Sequence, residues 1–284
     1  MKKTLEICAK TLDLMRAYPI SLYGGFKNRR LFEDVETYCM FIGYPRSGHS
    51  LMGSLLDAHP NMIIAHELGA LKYVHAGFSQ RQIYYLLVEN SRAFTEAGRI
   101  WSGYSYRVPN QWQGRFTKLQ VIGDKQGHGA MLRLQARPWL RQRLCNRIYS
   151  NIRFIHIIRN PYDNISTIFR KAREKGQCME LRDSIELYFS LCQTVADVKR
   201  EVSRACFFEL RLESFIDNPT TYLRELCRFL GTDASPEYLD DCASIVFKSP
   251  RRSRYEVQWD GESINVVEKR IDQFPFLQGY CYEG

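Results

Sequence analysis

Between Tyr38 and Pro60 the chain reads YCMFIGYPRSGHSLMGSLLDAHP, an apolar run, a short glycine-bounded loop and then an amphipathic segment. A strand that runs through such a loop into a helix leaves few folds open. Gly43-Tyr-Pro-Arg-Ser-Gly48-His-Ser50 fits the pattern Gly-x4-Gly-x-Ser. Glycine lets the backbone turn and approach a ligand closely. The amides of Ser47, Gly48, His49 and Ser50 then point inward at a helix N-terminus. Unpaired N–H groups and the positive end of the helix dipole favour an anion such as phosphate there. One residue departs from the nucleoside triphosphatase loop: His49 stands where those proteins carry a lysine. Taken alone, the segment also fits a plain strand–turn–helix with a capping Ser50.

Short apolar runs recur downstream, at residues 62–65 (MIIA), 119–123 (LQVIG), 154–158 (FIHII) and 205–210 (ACFFEL), after the first at 39–43 (CMFIG). None alternates with polar residues, as expected of parallel strands covered by helices on both faces. Helical patterns fall between them, at 50–58, 80–97, 133–146, 164–175, 183–203 and 220–230, the last ending at Gly231 as a C-cap. Alternating strands and helices predict a single α/β domain, with a mainly parallel central sheet and helices on both faces. Residues 98–114 (GRIWSGYSYRVPNQWQG) read as a long surface loop, a kind that is often functional. Residues 1–37 form a helical extension and 38–284 the core. Within the extension Leu5, Cys8, Leu12 and Met15 recur at helical spacing. Packing on the protein is the expected fate of that stripe, and peripheral membrane contact is the alternative.

The 284 residues include 40 Lys and Arg against 31 Asp and Glu, a formal net charge of +9. The excess favours anionic partners such as nucleotides, nucleic acid or acidic lipid. The nine cysteines have neither CxxC nor Cys/His zinc spacing. Cys39, Cys192 and Cys206 lie in apolar runs and read as buried hydrophobes in a reducing, cytoplasmic setting. No apolar stretch is long enough to span a bilayer, and charges interrupt the N-terminus too often for a signal peptide.

A second motif follows the fourth apolar run: Arg159-Asn-Pro-Tyr-Asp-Asn-Ile-Ser-Thr167. Asn160-Pro161 forces a turn and opens a helix. Arg159 is thereby placed at the C-terminal edge of a strand, where open α/β sheets bind ligands. A third, basic run is Lys248-Ser-Pro-Arg-Arg-Ser-Arg254, which suits phosphate or nucleic-acid contacts.

YPRSGHSLMGSLLDAHP resembles the donor loop of the sulfotransferases that use PAPS (3′-phosphoadenosine 5′-phosphosulfate), a Pro-Lys/Arg-Ser-Gly-Thr-type run. RNPYDNIST resembles the same family's 3′-phosphate motif, and two motifs in this order are far more specific than either alone. The resemblance implies a P-loop-like sulfotransferase fold and PAPS as co-substrate, with no metal required. It puts Arg46 on the transferring group, Ser47, Gly48, His49 and Ser50 on the 5′-phosphate, and Arg159 and Thr167, rather than Ser166, on the 3′-phosphate. Arg252 or Arg254 corresponds to the family's C-terminal basic loop, although its common Arg-Lys-Gly form is absent. Lys125, in VIGDKQGHG, resembles a catalytic or donor-contacting lysine. Glu67, in IIAHELGAL, is the first choice as general base, with His66 and His128 as rivals. The acceptor is a small molecule, lipid or carbohydrate bearing a hydroxyl or amine, not a nucleic acid.

Two other readings compete. A P-loop kinase or nucleotide hydrolase would use Asp124 to hold Mg²⁺. A non-enzymatic nucleic-acid-binding module would rest on the net charge and the arginine run, and would show salt-sensitive oligonucleotide binding.

Overall fold

A parallel strand covered on both faces needs apolar side chains at consecutive positions, and β1 (Thr37–Ile42) is buried at every residue. The computed structural model describes the backbone from Lys2 to Gly284 and the side chains from Leu12 onward. The other strands are β2 (Met62–His66), β3 (Ile100–Trp101), β4 (Tyr104–Ser105), β5 (Val121–Lys125), β6 (Asn151–Ile158) and β7 (Phe207–Arg211). Five of them form a parallel sheet in the order β2-β5-β1-β6-β7, and β3 and β4 form a separate hairpin.

The helices are α1 (Lys2–Lys27), α2 (His49–Asp57), α3 (Ala70–His75), α4 (Gln80–Glu96), α5 (Gly127–Ala136), α6 (Leu140–Arg147), α7 (Pro161–Glu174) and α8 (Leu181–Glu201). α9 (Leu212–Asp217), α10 (Pro219–Leu230), α11 (Pro236–Ser244) and α12 (Gly261–Ile271) complete the chain. The pleat sends alternate side chains to opposite faces. Tyr38, Met40 and Ile42 of β1 enter one core layer with α4, α5, α7 and α8. Cys39 and Phe41 enter the other, with α2, α10 and α11.

Four local expectations are corrected. β5 begins at Val121 and continues through Asp124 and Lys125, so both polar residues belong to the sheet. The single helix expected over 133–146 is two, α5 and α6, because Pro138 pushes Arg137 out of helical geometry (φ −148°, ψ 77°). The loop at 98–114 carries the β3–β4 hairpin. The N-terminal helix is 26 residues long, and the stripe expected to pack points outward. Leu12 and Met15 are exposed, while Leu14, Ala17 and Ser21 face the protein; the side chains of Leu5 and Cys8 lie outside the described residues.

α1 docks on α4 through its small residues. A Cβ on Gly25 would lie 2.8 Å from the Arg81 carbonyl oxygen. Gln82 Nε2 donates to Ser21 Oγ at 3.2 Å.

A buried ion pair ties three elements together behind α2. Asp57, at the end of α2, accepts from Arg99 Nη1 at 2.7 Å, Ser91 Oγ at 2.7 Å and the Ile64 amide at 2.7 Å. Arg99 opens the segment that carries the hairpin, with a left-handed φ of 55°.

Candidate active site

Strand order decides which sequence segments meet. β1 lies between β5 and β6, so the loop after β1 is flanked by the C-terminal ends of both. The chain runs from β1 outward to β2 on one side, and from β6 to β7 on the other. The gap between them is a switch point, where open α/β sheets hold ligands.

Two glycines shape the loop after β1. Gly43 and Gly48 have φ of 131° and 92°, a region that side chains disfavour. Gly48 is the N-cap of α2, and a Cβ there would meet Leu212 Cδ1 at 2.7 Å. The His49 ring braces the loop from behind. Its Nε2 lies 3.1 Å from the Ile42 carbonyl and its Nδ1 3.1 Å from Ser47 Oγ. Phe41 meets the ring edge-on, and a Cβ on Gly127 would come within 2.6 Å of it. Burial, reinforced by the charge of Lys125, pushes the His49 pKa down to about 3. The ring is therefore neutral, with Nε2–H donating to Ile42 and Nδ1 facing Ser47 Oγ, whose hydroxyl also reaches the Tyr44 carbonyl at 3.0 Å. The His49 side chain thus belongs to the frame of the loop.

That neutrality has a stability consequence. Unfolded His49 takes up a proton below about pH 6.5, whereas the folded ring resists down to about 3. A depressed folded pKa gives stability that is present above the unfolded value and lost as pH falls toward the folded one. Urea unfolding between about pH 6 and pH 4 should show this loss, and His49→Gln should flatten the slope by ~1.4 kcal/mol per pH unit.

On the β5 side, register brings three elements to one point. His66 pairs with Lys125 across β2 and β5. Lys125 Nζ donates to Glu67 Oε1 at 2.7 Å and to Ser50 Oγ at 3.0 Å, and lies 3.4 Å from His66 Nε2. Room for its stem comes from Gly53, whose Cβ would meet Lys125 Cγ at 2.6 Å. The lysine side chain is 1% exposed and the glutamate 37%, so the cation is enclosed and the carboxylate open. Burial lowers the Lys125 pKa, and Glu67 opposes that shift. Burial and then Lys125 push His66 to about 3, leaving a neutral ring stacked on Phe94.

Asp124 anchors the segment that carries Glu67. Its carboxylate accepts from the Leu68 amide at 3.2 Å and the Ala70 amide at 2.7 Å, and burial raises its pKa to about 6. His128 sits in the first turn of α5, where burial lowers its pKa and its Nε2 has no hydrogen-bond partner among the described residues. Arg46 is half-buried and joins no ion pair among the described residues. Arg46 and Glu67 share one further trait: both hold left-handed backbone, φ 72° and 57°. Non-glycine residues pay for that conformation, and such strain gathers at ligand sites.

On the β6 side, Arg159 is the hub. Its Nη1 donates to the Arg46 carbonyl at 3.2 Å and to Thr167 Oγ1 at 3.2 Å. Its Nη2 donates to the Arg251 carbonyl at 2.6 Å and to Ser253 Oγ at 3.1 Å. Loop, second motif and basic run therefore converge on one guanidinium. The neighbouring hydroxyl points elsewhere, since Trp259 Nε1 donates to Ser166 Oγ at 3.0 Å. Arg254 is buried against Asp163 at 2.8 Å, whereas Arg252 is exposed and joins no ion pair among the described residues. A cavity of about 400 Å³ opens beside this cluster, lined by Asn160, Arg211, Arg252, Arg254 and Tyr280 among others, away from Lys125 and Glu67.

Sequence reasoning did not single out Ser253, Asp163 or Gly127. Ser253 and Asp163 stand inside the quoted runs, so their signal was present. Gly127 takes on meaning only once the His49 ring is placed against it.

A sequence model described as the sulfotransferase family matches residues 126–236. No curated protein matches the sequence. Among solved structures, the sulfotransferase domain from the curacin biosynthetic pathway is 15% identical over 83% of this chain and 96% of that chain, with a TM-score of 0.51. A sulfotransferase from Mycobacterium avium is 10% identical over 93% of this chain and 84% of that chain, with a TM-score of 0.52. Another from Mycobacterium tuberculosis is 10% identical over 88% and 80%, also with a TM-score of 0.52. The fold is a sulfotransferase fold, the matched residues include the second motif but not the first loop, and match and fold together bear out the resemblance to sulfotransferases.

Proposed function

We propose that the chain transfers a sulfuryl group from PAPS to a hydroxyl or amine of an acceptor, releasing 3′-phosphoadenosine 5′-phosphate (PAP). The observation that carries this reading is the meeting of the two motifs, with Arg159 Nη1 3.2 Å from the Arg46 carbonyl. The amides of residues 47–50 take the 5′-phosphate. Arg159, Thr167 and the 251–254 loop take the 3′-phosphate, with Arg252 as its unpaired cation. Arg254 holds the loop in place through Asp163.

The acceptor oxygen or nitrogen attacks sulfur, and its proton passes to Glu67. The new bond to sulfur forms as the bond to the bridging phosphate oxygen breaks. The electron pair of that bond stays on PAP. Lys125 and Arg46 face the charge that develops, and a preorganised cation in an enclosed site is effective there. Glu67 is favoured as base because it is the open member of the cluster. His66 is held neutral with its Nε2 beside the Lys125 ammonium. The kinase or hydrolase reading assigned Asp124 to Mg²⁺; its oxygens accept the Leu68 and Ala70 amides, which supports an anchoring role instead.

Radiolabelled PAPS incubated with fractionated cell extract tests the reading. Wild type should label an acceptor fraction. Arg159→Ala should raise KM for PAPS roughly tenfold or more, since charge-assisted bonds to a phosphate are lost. Magnesium-dependent ATP hydrolysis with no label transfer would overturn the reading.

A further inference from the structure

α1 has two unlike faces. Leu14, Ala17, Ser21, Gly24 and Gly25 turn toward the protein. Leu12, Met15, Pro19, Leu22, Tyr23 and Phe26 recur at helical spacing on the opposite side. The large side chains of that outward stripe are between 52% and 68% exposed, and Asp13 is the one acidic residue between Leu12 and Phe26. Exposed hydrophobes scattered singly need no explanation, but a contiguous stripe marks an interaction surface.

The charges around the stripe identify the partner. Arg16 and Lys27 lie beside it, and Arg29 and Arg30 follow directly. Asp13, the acid within this stretch, is exposed and lies close enough to α3 for its charge to act on Lys72 and Tyr73. By sequence, the first 31 residues hold seven Lys and Arg and two acids, so five of the chain's nine net positive charges reside there. A second copy docked on this face would bring like charges together. An anionic bilayer surface complements both the apolar stripe and its basic border, and aromatic residues such as Tyr23 and Phe26 suit the interfacial region. No helix among the described residues is long and apolar enough to cross a membrane.

We propose that the outward face of α1 seats the protein on an anionic phospholipid surface, with Met15, Leu22, Tyr23 and Phe26 entering the headgroup boundary. This inference does not depend on the donor or the reaction.

Vesicle co-sedimentation tests it. The probes are pure phosphatidylcholine vesicles and vesicles with about one-third phosphatidylserine. The wild-type chain should bind the second in preference to the first, and less so as salt rises. Met15→Glu/Leu22→Glu/Phe26→Glu should lower partitioning roughly tenfold or more, with circular dichroism and thermal melting unchanged because all three side chains point to solvent. Lys27→Glu/Arg30→Glu leaves the stripe intact and should also weaken binding roughly tenfold. Equal binding by wild type and both variants, or no binding by wild type, would overturn the proposal. So would a concentration-dependent dimer in sedimentation velocity that the triple variant abolishes while vesicles fail to bind.

Discussion

Glu67→Gln is expected to lower kcat by roughly 10²–10⁴, the usual range for loss of a positioned proton acceptor. KM for PAPS should change by no more than a few-fold, because a glutamine carbonyl can still accept from Lys125. The substitution thus isolates proton removal from the placement of the cation. Alternative bases are poorly equipped. His66 is pushed to about 3 by burial and by Lys125, and its Nε2 already faces the ammonium. His128 has a free Nε2 but is also lowered by burial. Initial rates for Glu67→Gln and His128→Ala separate the two. A wild-type kcat for Glu67→Gln with a collapsed kcat for His128→Ala would move the base to His128.

The largest loss of stability is expected from Asp57→Ala, at about 3–5 kcal/mol. The Asp57 carboxylate is fully buried and accepts from Arg99, Ser91 and the amides of Ile64 and Gly114. Removing it strands a guanidinium that is itself 1% exposed. A buried charge left without its partner costs far more than the net worth of the pair. The lesion also frees the segment bearing β3 and β4, whose Trp101 packs on His66. Urea denaturation should register the loss directly. A change under about 1 kcal/mol would show that Arg99 finds another partner or reaches water.

The loop after β1 and the run after β6 were legible because each is local. Glycines, a proline at a helix start and a buried apolar strand leave their mark within about ten residues of chain. Fold class followed from the unbroken apolar runs of the five sheet strands. The polar cluster was legible only in its parts. Glu67 and Lys125 were named, but they are 58 residues apart and meet because β2 pairs with β5 in a register that sets His66 against Lys125. Register is a property of the assembled sheet, so no local pattern announces it. His49 read as a departure for the same reason: its ring is explained by Gly43 and Gly127, which pack against it from two different elements. The outward stripe on α1 carried the opposite trap. Helical spacing shows that a face exists but not which way it turns, and here Leu14 and a row of small residues face the core while the larger stripe faces out.

Equilibrium binding of PAP in the absence of divalent metal is the measurement that tests the donor site most directly. Titration calorimetry should give saturable binding that weakens roughly tenfold or more in Arg159→Ala, and by a similar factor when adenosine 5′-phosphate replaces PAP. Indifference to the 3′-phosphate, or a wild-type affinity in Arg159→Ala, would contradict the assignment of the two converging motifs to this nucleotide.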